Sequence, residues 1–228
     1  MAALSIIFPT LNAAGYLRGS LPPLAAFDAV DLIHEVIFAD GGSNDDTAAI
    51  AAAAGASLVT ADAGRGGQLA AGARAATGDW LLFLHADTRL DADWHAAVRH
   101  FIDDPAHRRR AGYFRFRLDD GRWQARLLAR VVAWRSRLLG LPYGDQGLLI
   151  ARVHYRAIGG FKPMGLMEDV DLVRRIGARN LTPLLAGAVT SADRYRRDGF
   201  ILRPLRNLCC LALYYLGAPQ ATIARLYA

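Results

Sequence analysis

The stretch Trp80-Leu81-Leu82-Phe83-Leu84-His85-Ala86-Asp87-Thr88 decides the fold. Its first five residues are all apolar, as in a strand covered on both faces at the centre of a parallel sheet. A histidine and an aspartate two positions apart follow, where an open α/β sheet presents its ligand-binding groups.

Upstream the chain alternates strand and helix signals. Residues 4–8 form a short apolar run stopped by Pro9. Residues 13–27 are helical in composition, with Pro22-Pro23 breaking or restarting the helix. Residues 35–39 predict a second strand, ending at Asp40-Gly41-Gly42-Ser43. A helix is expected over 45–54, with Asn44 as cap, acids in its first turn and Gly55 as its stop. Residues 57–60 read as a third strand and 68–76 as an alanine-rich helix closed by Thr77-Gly78. This rhythm predicts an α/β fold: an open, mostly parallel sheet flanked by helices.

Downstream the pattern changes. Residues 110–118 alternate Tyr113, Arg115 and Arg117 with Phe114, Phe116 and Leu118, a half-buried strand with one basic face. Residues 124–139 predict an amphipathic helix with Leu127, Leu128, Val131, Trp134 and Leu138 on one side. Strands are expected at 147–151 and 181–185, a helix at 169–178, and a helical tail from Gly199. With neither repeats nor a long linker, the expectation is one domain over 1–228: a nucleotide-binding half (1–110), an acceptor and catalytic half (111–198) and a helical tail (199–228).

Composition bounds the function. The 228 residues are 53% hydrophobic, which excludes disordered and collagen-like classes. Cys209 and Cys210 are the only cysteines, so neither a disulfide scaffold nor a structural zinc site is expected, and a reducing compartment fits. The net charge of +6 is carried almost wholly by arginine, Lys162 being the single lysine. That suits an anionic partner: a phosphate-bearing substrate, an anionic membrane or nucleic acid. No leader and no run long enough to span a bilayer are visible, so a cytoplasmic location is expected.

Three strand ends direct Asn12, Asp40 and Asp87 toward one crevice. Each is also an ordinary turn former, and only their convergence points to a site. The dinucleotide fingerprint, the Walker loop and the hydrolase elbow are all missing from this sequence. Asp87, with His85 on the same side of an extended segment, is a candidate for a divalent cation. Mg²⁺ prefers oxygen ligands and Mn²⁺ tolerates imidazole. Met167-Glu168-Asp169-Val170-Asp171 reads either as first-turn helix chemistry or as a carboxylate general base. Arg194, Arg196 and Arg197 read either as a solvated face or as a clamp on a departing phosphate.

At these residues the sequence resembles family 2 glycosyltransferases of the GT-A fold, most of all the bacterial branch described as selenodomain-associated transferase 2. The resemblance rests on the segment from Ser5 to Asn12, on the segment from Phe38 to Thr47 and on Gly64-Arg65-Gly66-Gly67-Gln68. It continues through the segment from Gly78 to Thr88, Tyr143-Gly144-Asp145-Gln146-Gly147 and Glu168-Asp169-Val170-Asp171-Leu172, and so covers about residues 4–200. It implies an inverting transferase that uses a nucleoside-diphosphate sugar, UDP-linked by family tendency, with Mn²⁺ or Mg²⁺. It further implies that Asp40 contacts base and ribose, with Pro9, Asn12 and Gly42 in the same nucleotide pocket. Asp87 matches the last acid of the metal-binding Asp-x-Asp motif, whose first acid is replaced here by His85. Asp169 matches the base, with Glu168 orienting the site. Arg65 and Arg197 are candidates for nucleotide and diphosphate contacts, and Asp145, Gln146 and Trp134 for the acceptor side.

Two other readings stay open: a nucleotidyltransferase, and a catalytically silent nucleotide-binding scaffold. Nucleic acid is not expected as a partner, because the 110–118 strand can bury its phenylalanines. The tail's Phe200, Ile201, Leu202, Leu205, Leu208 and Leu211, with Arg203 and Arg206, suit a peripheral contact at the inner membrane face near a lipid-linked acceptor. A domain-covering helix or a homodimer contact is the simpler reading of the same residues.

Overall fold

A computed structural model describes residues 3–21 and 32–227. Strand β1 (Leu4–Thr10) pairs in parallel with β2 (Ile33–Asp40) and with β4 (Trp80–Phe83), and β2 pairs in parallel with β3 (Ser57–Thr60). Helices α1 (Ala14–Ser20), α2 (Thr47–Ala53) and α3 (Arg65–Ala75) connect them. The chain steps outward from β1 to β3 and returns to the other side of β1 at β4, giving the order β3-β2-β1-β4. The crevice beyond β1 and β4 is therefore a switch point, where such sheets bind ligands.

Why these strands are apolar throughout is visible in the packing. Ile6, Phe8, Phe38, Trp80 and Leu82 enter one hydrophobic layer, while Ile7, Ile37, Leu81 and Phe83 enter the other. Each such side chain, fully buried, contributes about 1.5–3 kcal/mol. The two layers fix strand register, since a one-residue slip would exchange them.

The second half extends the sheet with β5 (Thr88–Leu90), β6 (Ala111–Leu118), β7 (Leu148–Ala151) and β8 (Leu181–Thr190). The order continues β4-β7-β6-β8-β5, with β7 antiparallel to both neighbours, β6 parallel to β8, and β5 antiparallel to β8. Helices α4 (Trp94–Ile102), α5 (Trp123–Leu138), α6 (Arg152–Ala157), α7 (Glu168–Ile176), α8 (Asp193–Asp198), α9 (Leu202–Tyr215) and α10 (Gln220–Tyr227) complete the described chain. No described helix is long and apolar enough to cross a membrane.

Several expectations need correction. Helix α1 ends at Ser20, and the expected Pro22-Pro23 break, with residues 22–27 of the expected helix, lies outside the described residues. Asn44 does not cap α2. Its backbone N–H donates to Asn12 Oδ1, and Asp45 Oδ1 accepts the Thr47 N–H at the start of the helix. The strand expected at 181–185 runs on to Thr190, because β6 pairs along it from Leu181 to Thr190 and β5 pairs with its last three residues from the other side. Tyr113 is buried with Phe114 and Phe116, so β6 offers no aromatic surface. The largest reversal is α5: Leu127, Val131, Trp134 and Leu138 are exposed, and Ala125, Val132 and Ser136 face inward.

Candidate active site

The loop after β1 is tied to the loop after β2 from both sides. Asn12, in the left-handed region at φ 49°, donates its N–H to Ser43 Oγ, and Ala13 and Ala14 donate theirs to Thr47 and Asp45. Asp40 holds this junction together: Thr10 Oγ1 and the Ser43 hydroxyl donate to Oδ1, and the Gly42 and Ser43 N–H groups to Oδ2. Burial pushes the Asp40 carboxyl up, but these hydrogen bonds outweigh it and hold the group below its usual value. Gln68 finishes the joint, donating through Nε2 to Thr10 O at 2.6 Å and to Ala39 O at 3.0 Å.

Two clefts open from this edge and share one wall. Pro9, Asn12, Tyr16 and Gln68 line the outer cleft; Asp145, Glu168, Asp169, Tyr195, Asn207 and Tyr227 line the inner one. Arg65, His85, Asp87 and Arg194 line both.

Close backbone approaches place that wall. A Cβ on Gly66 would lie 2.2 Å from Lys162 O and 2.7 Å from Met164 O, so only glycine lets α3 begin against this segment. That seats Arg65 with Nη1 3.5 Å from Glu168 Oε1. A Cβ on Gly144 would lie 2.5 Å from His85 Nε2, and the Gly144 N–H donates to Asp169 Oδ2 at 2.7 Å. Met167 precedes α7 in the left-handed conformation at φ 63°, a strain of about 1 kcal/mol or more for a non-glycine residue. The acidic pair follows in the first turn of α7, where the helix dipole favours negative charge.

The carboxylates differ in their surroundings. Asp169 accepts the N–H groups of Gly144 and Val170. Glu168 is 1% exposed, and neither of its oxygens accepts a hydrogen bond from a described residue, although Arg65 stands close. Burial, and then the neighbouring Asp169, push its carboxyl up to about 7 against the pull of Arg65. Burial likewise raises Asp145 to about 6, and its buried Oδ1 has no hydrogen-bond partner among the described residues. His85 moves the opposite way. Burial, with Arg65 and Arg194 nearby, drives it well below its usual value and leaves a neutral imidazole beside Asp87.

Glu168 should leave a signature in stability. Between its usual value near 4.5 and about 7, the native state holds a proton that the unfolded chain releases, so stability falls as pH rises through that window. Denaturation midpoints of wild type and Glu168→Gln at pH 5, 6, 7 and 8 check this. The wild type is expected to lose ground to the variant with rising pH, and parallel curves would refute a raised Glu168.

The expected site residues are only partly brought together. Pro9, Asn12, Arg65, His85, Asp87, Asp145, Glu168 and Asp169 line the two clefts, whereas Asp40 and Gly42 lie behind the outer one as its brace. Three placements are corrected. Gln146 is buried: it donates to Phe114 O and accepts from Ser136 and the Tyr143 N–H, so it shapes the turn that carries Gly144. Trp134 points outward from α5 and is 58% exposed. Arg197 pairs with Asp198 at 2.8 Å and is exposed, and Arg196 is tied to Asp119, Asp120 and Asp193; Arg194 is the member of this trio that lines the clefts. Sequence reasoning assigned no site role to Gln68, Tyr195, Asn207 or Tyr227. The Gly64-Arg65-Gly66-Gly67-Gln68 block was the available signal for the first, while the others needed the fold.

A crevice of this make, at the switch point of a half-parallel sheet, defines the GT-A class of α/β fold. Residues 5–149 match the family model Glycosyl transferase family 2, and the chain belongs to that family. Among curated proteins it is 39% identical over 108 residues to a PGL/p-HBAD biosynthesis glycosyltransferase of Mycobacterium bovis, a match covering 44% of this chain and 41% of the relative. The chain thus matches less than half the length of that relative. Among solved structures, glucosyl-3-phosphoglycerate synthase from Mycobacterium tuberculosis, in complex with Mg²⁺ and UDP, superposes with TM-score 0.66 at 20% identity, covering 96% of this chain and 80% of that one. TarS 1-349 of S. aureus, in complex with UDP-GlcNAc, gives TM-score 0.64 at 16% identity, covering 99% of this chain and 70% of that one. At these identities the likeness is one of fold.

Proposed function

We propose that the protein transfers a sugar, with inversion, from a nucleoside-diphosphate sugar to a hydroxyl acceptor. The observation that carries this reading is the common wall of Arg65, His85, Asp87 and Arg194 between the two clefts. Residues 1–110 supply most of the outer, nucleotide cleft; residues 111–198 and the tail supply most of the inner, acceptor cleft. UDP is the favoured nucleotide, in keeping with the ligands of both solved neighbours.

The neutral His85 and the Asp87 carboxylate are two donors, and among the described residues no group of three or more His, Cys, Asp or Glu forms a cation cage. This pair would hold a divalent cation on the shared wall, and the imidazole suits Mn²⁺ better than Mg²⁺. Such an ion, when bound, supplies positive charge to the diphosphate. Arg65 and Arg194 supply more from the same wall. The acceptor oxygen forms its bond to the anomeric carbon from the inner cleft as the carbon–oxygen bond to the diphosphate breaks on the opposite side. Asp169 takes the acceptor proton. Arg65 and the Gly144 N–H hold the acidic pair in place.

Calorimetry with UDP, GDP, CDP and dTDP, each with Mn²⁺, Mg²⁺ or EDTA, tests the reading. Selective, cation-dependent binding of one diphosphate is expected, and Asp87→Ala should abolish the cation dependence. Failure to bind any of the four would overturn the reading, and saturable binding of a nucleotide sugar without loss of the sugar in the presence of acceptors would favour the silent scaffold. Release of pyrophosphate from a nucleoside triphosphate would favour nucleotidyl transfer.

A further inference from the structure

Helix α5 turns its large apolar residues away from the protein. Trp123, Leu127, Val131, Trp134 and Leu138 recur at helical spacing and form an outward ridge, with Trp123 63%, Trp134 58% and Leu138 65% exposed. Fifteen residues at the helical rise make that ridge roughly 22 Å long. Arg126, Arg130 and Arg137 are exposed along one flank of it. The outer side of α9 is similar: Leu202, Leu205 and Leu208 are exposed, as are Ile201 before it and Leu216 after it. The two helices are linked near both ends, where the Arg122 guanidinium sits 6.0 Å from the centre of the Phe200 ring and Leu141 packs in one cluster with Leu211.

The charge pattern identifies the occupant. Residues 121–144 and 199–228 contain no Asp or Glu. An isologous dimer through this face would set one arginine row against another, with no acid from either segment to pair them. Nucleic acid would supply the anions and could stack bases on the two tryptophans, but would leave the aliphatic Leu127, Val131 and Leu138 uncovered. We propose that α5 and the outer side of α9 dock on an anionic lipid bilayer, with the apolar ridge entering the headgroup boundary and the arginines meeting lipid phosphates. The inner side of α9 lines the acceptor cleft through Arg203 and Asn207. One helix would thus touch both the bilayer and the cleft, which suits an acceptor held in that bilayer. The docking itself does not depend on the transferase reading.

The tryptophans make the test direct. Trp80 and Trp94 are 1% and 2% exposed in the core, so a change in emission on docking reports Trp123 and Trp134. Emission and flotation are measured with phosphatidylglycerol-containing vesicles and with phosphatidylcholine vesicles, at low and high salt. A blue shift and co-flotation are expected with the anionic vesicles at low salt, together with quenching by brominated lipid. Each basic residue near such a surface contributes a factor of about five, so R126Q/R130Q/R137Q should weaken partitioning roughly a hundredfold. UDP calorimetry on the same variant, whose changes lie outside both clefts, reads the nucleotide site separately. Absence of docking at low salt, equal docking by the variant, or a lipid-free blue shift that tracks self-association would each overturn the proposal.

Discussion

Asp169→Asn is expected to lower turnover by a factor on the order of 10²–10⁴ while leaving nucleoside-diphosphate affinity nearly unchanged. The change is isosteric, and an amide oxygen can still accept the Gly144 N–H that positions the native carboxylate. What disappears is the ability to take a proton from the acceptor. The outer cleft, where the nucleotide is proposed to bind, does not include this side chain. Steady-state turnover beside UDP calorimetry separates the two effects, and unimpaired turnover would remove Asp169 from the base role. Glu168→Gln is the natural companion, because Glu168 titrates near neutral pH in the same acidic pair. A larger loss there than in Asp169→Asn would move the base one residue upstream.

Arg65→Ala is expected to reduce turnover by a factor on the order of 10²–10³, the usual cost of removing one preorganised donor from developing negative charge. Arg65 lines both clefts, and its guanidinium stands 3.5 Å from the buried Glu168. Burial works against its charge, yet Glu168, Tyr227, Asp169 and Asp87 together hold its pKa above the usual value. Removing it also takes away a cation that holds the Glu168 carboxyl down, so that carboxyl should titrate still higher in the variant. Turnover and the pH dependence of stability, measured on one preparation, check both consequences. Turnover within a factor of three of wild type would exclude Arg65 from the diphosphate side of the reaction.

The first half of the fold was legible because its strands are covered on both faces. Every residue of Trp80-Leu81-Leu82-Phe83 is buried, and alternate residues enter opposite layers, so a continuous apolar run was the right signal. On α5 the same physics misled. Periodicity finds an apolar side but cannot say which side faces the protein, and α5 packs inward through the small residues Ala125 and Ser136. In the site, Glu168 and Asp169 could be read as a pair because they share the first turn of one helix. Arg194 could not be told from Arg197 in sequence, since positions three apart on a helix lie only about 60° from each other in direction. Asn207 and Tyr227 join the pocket from two separate tail helices, which no local pattern encodes.

The shared wall has one consequence beyond placing the reacting groups. On the proposed function, four side chains would serve two binding events, so a molecule that settles in either cleft would alter the orientation and charge its counterpart meets in the other. Donor and acceptor would then be thermodynamically linked, and whatever factor one imposed on the other's affinity would be returned in equal measure. A lone nucleotide and a lone acceptor would each report only part of the recognition, because part of each partner's specificity is written in the other's presence.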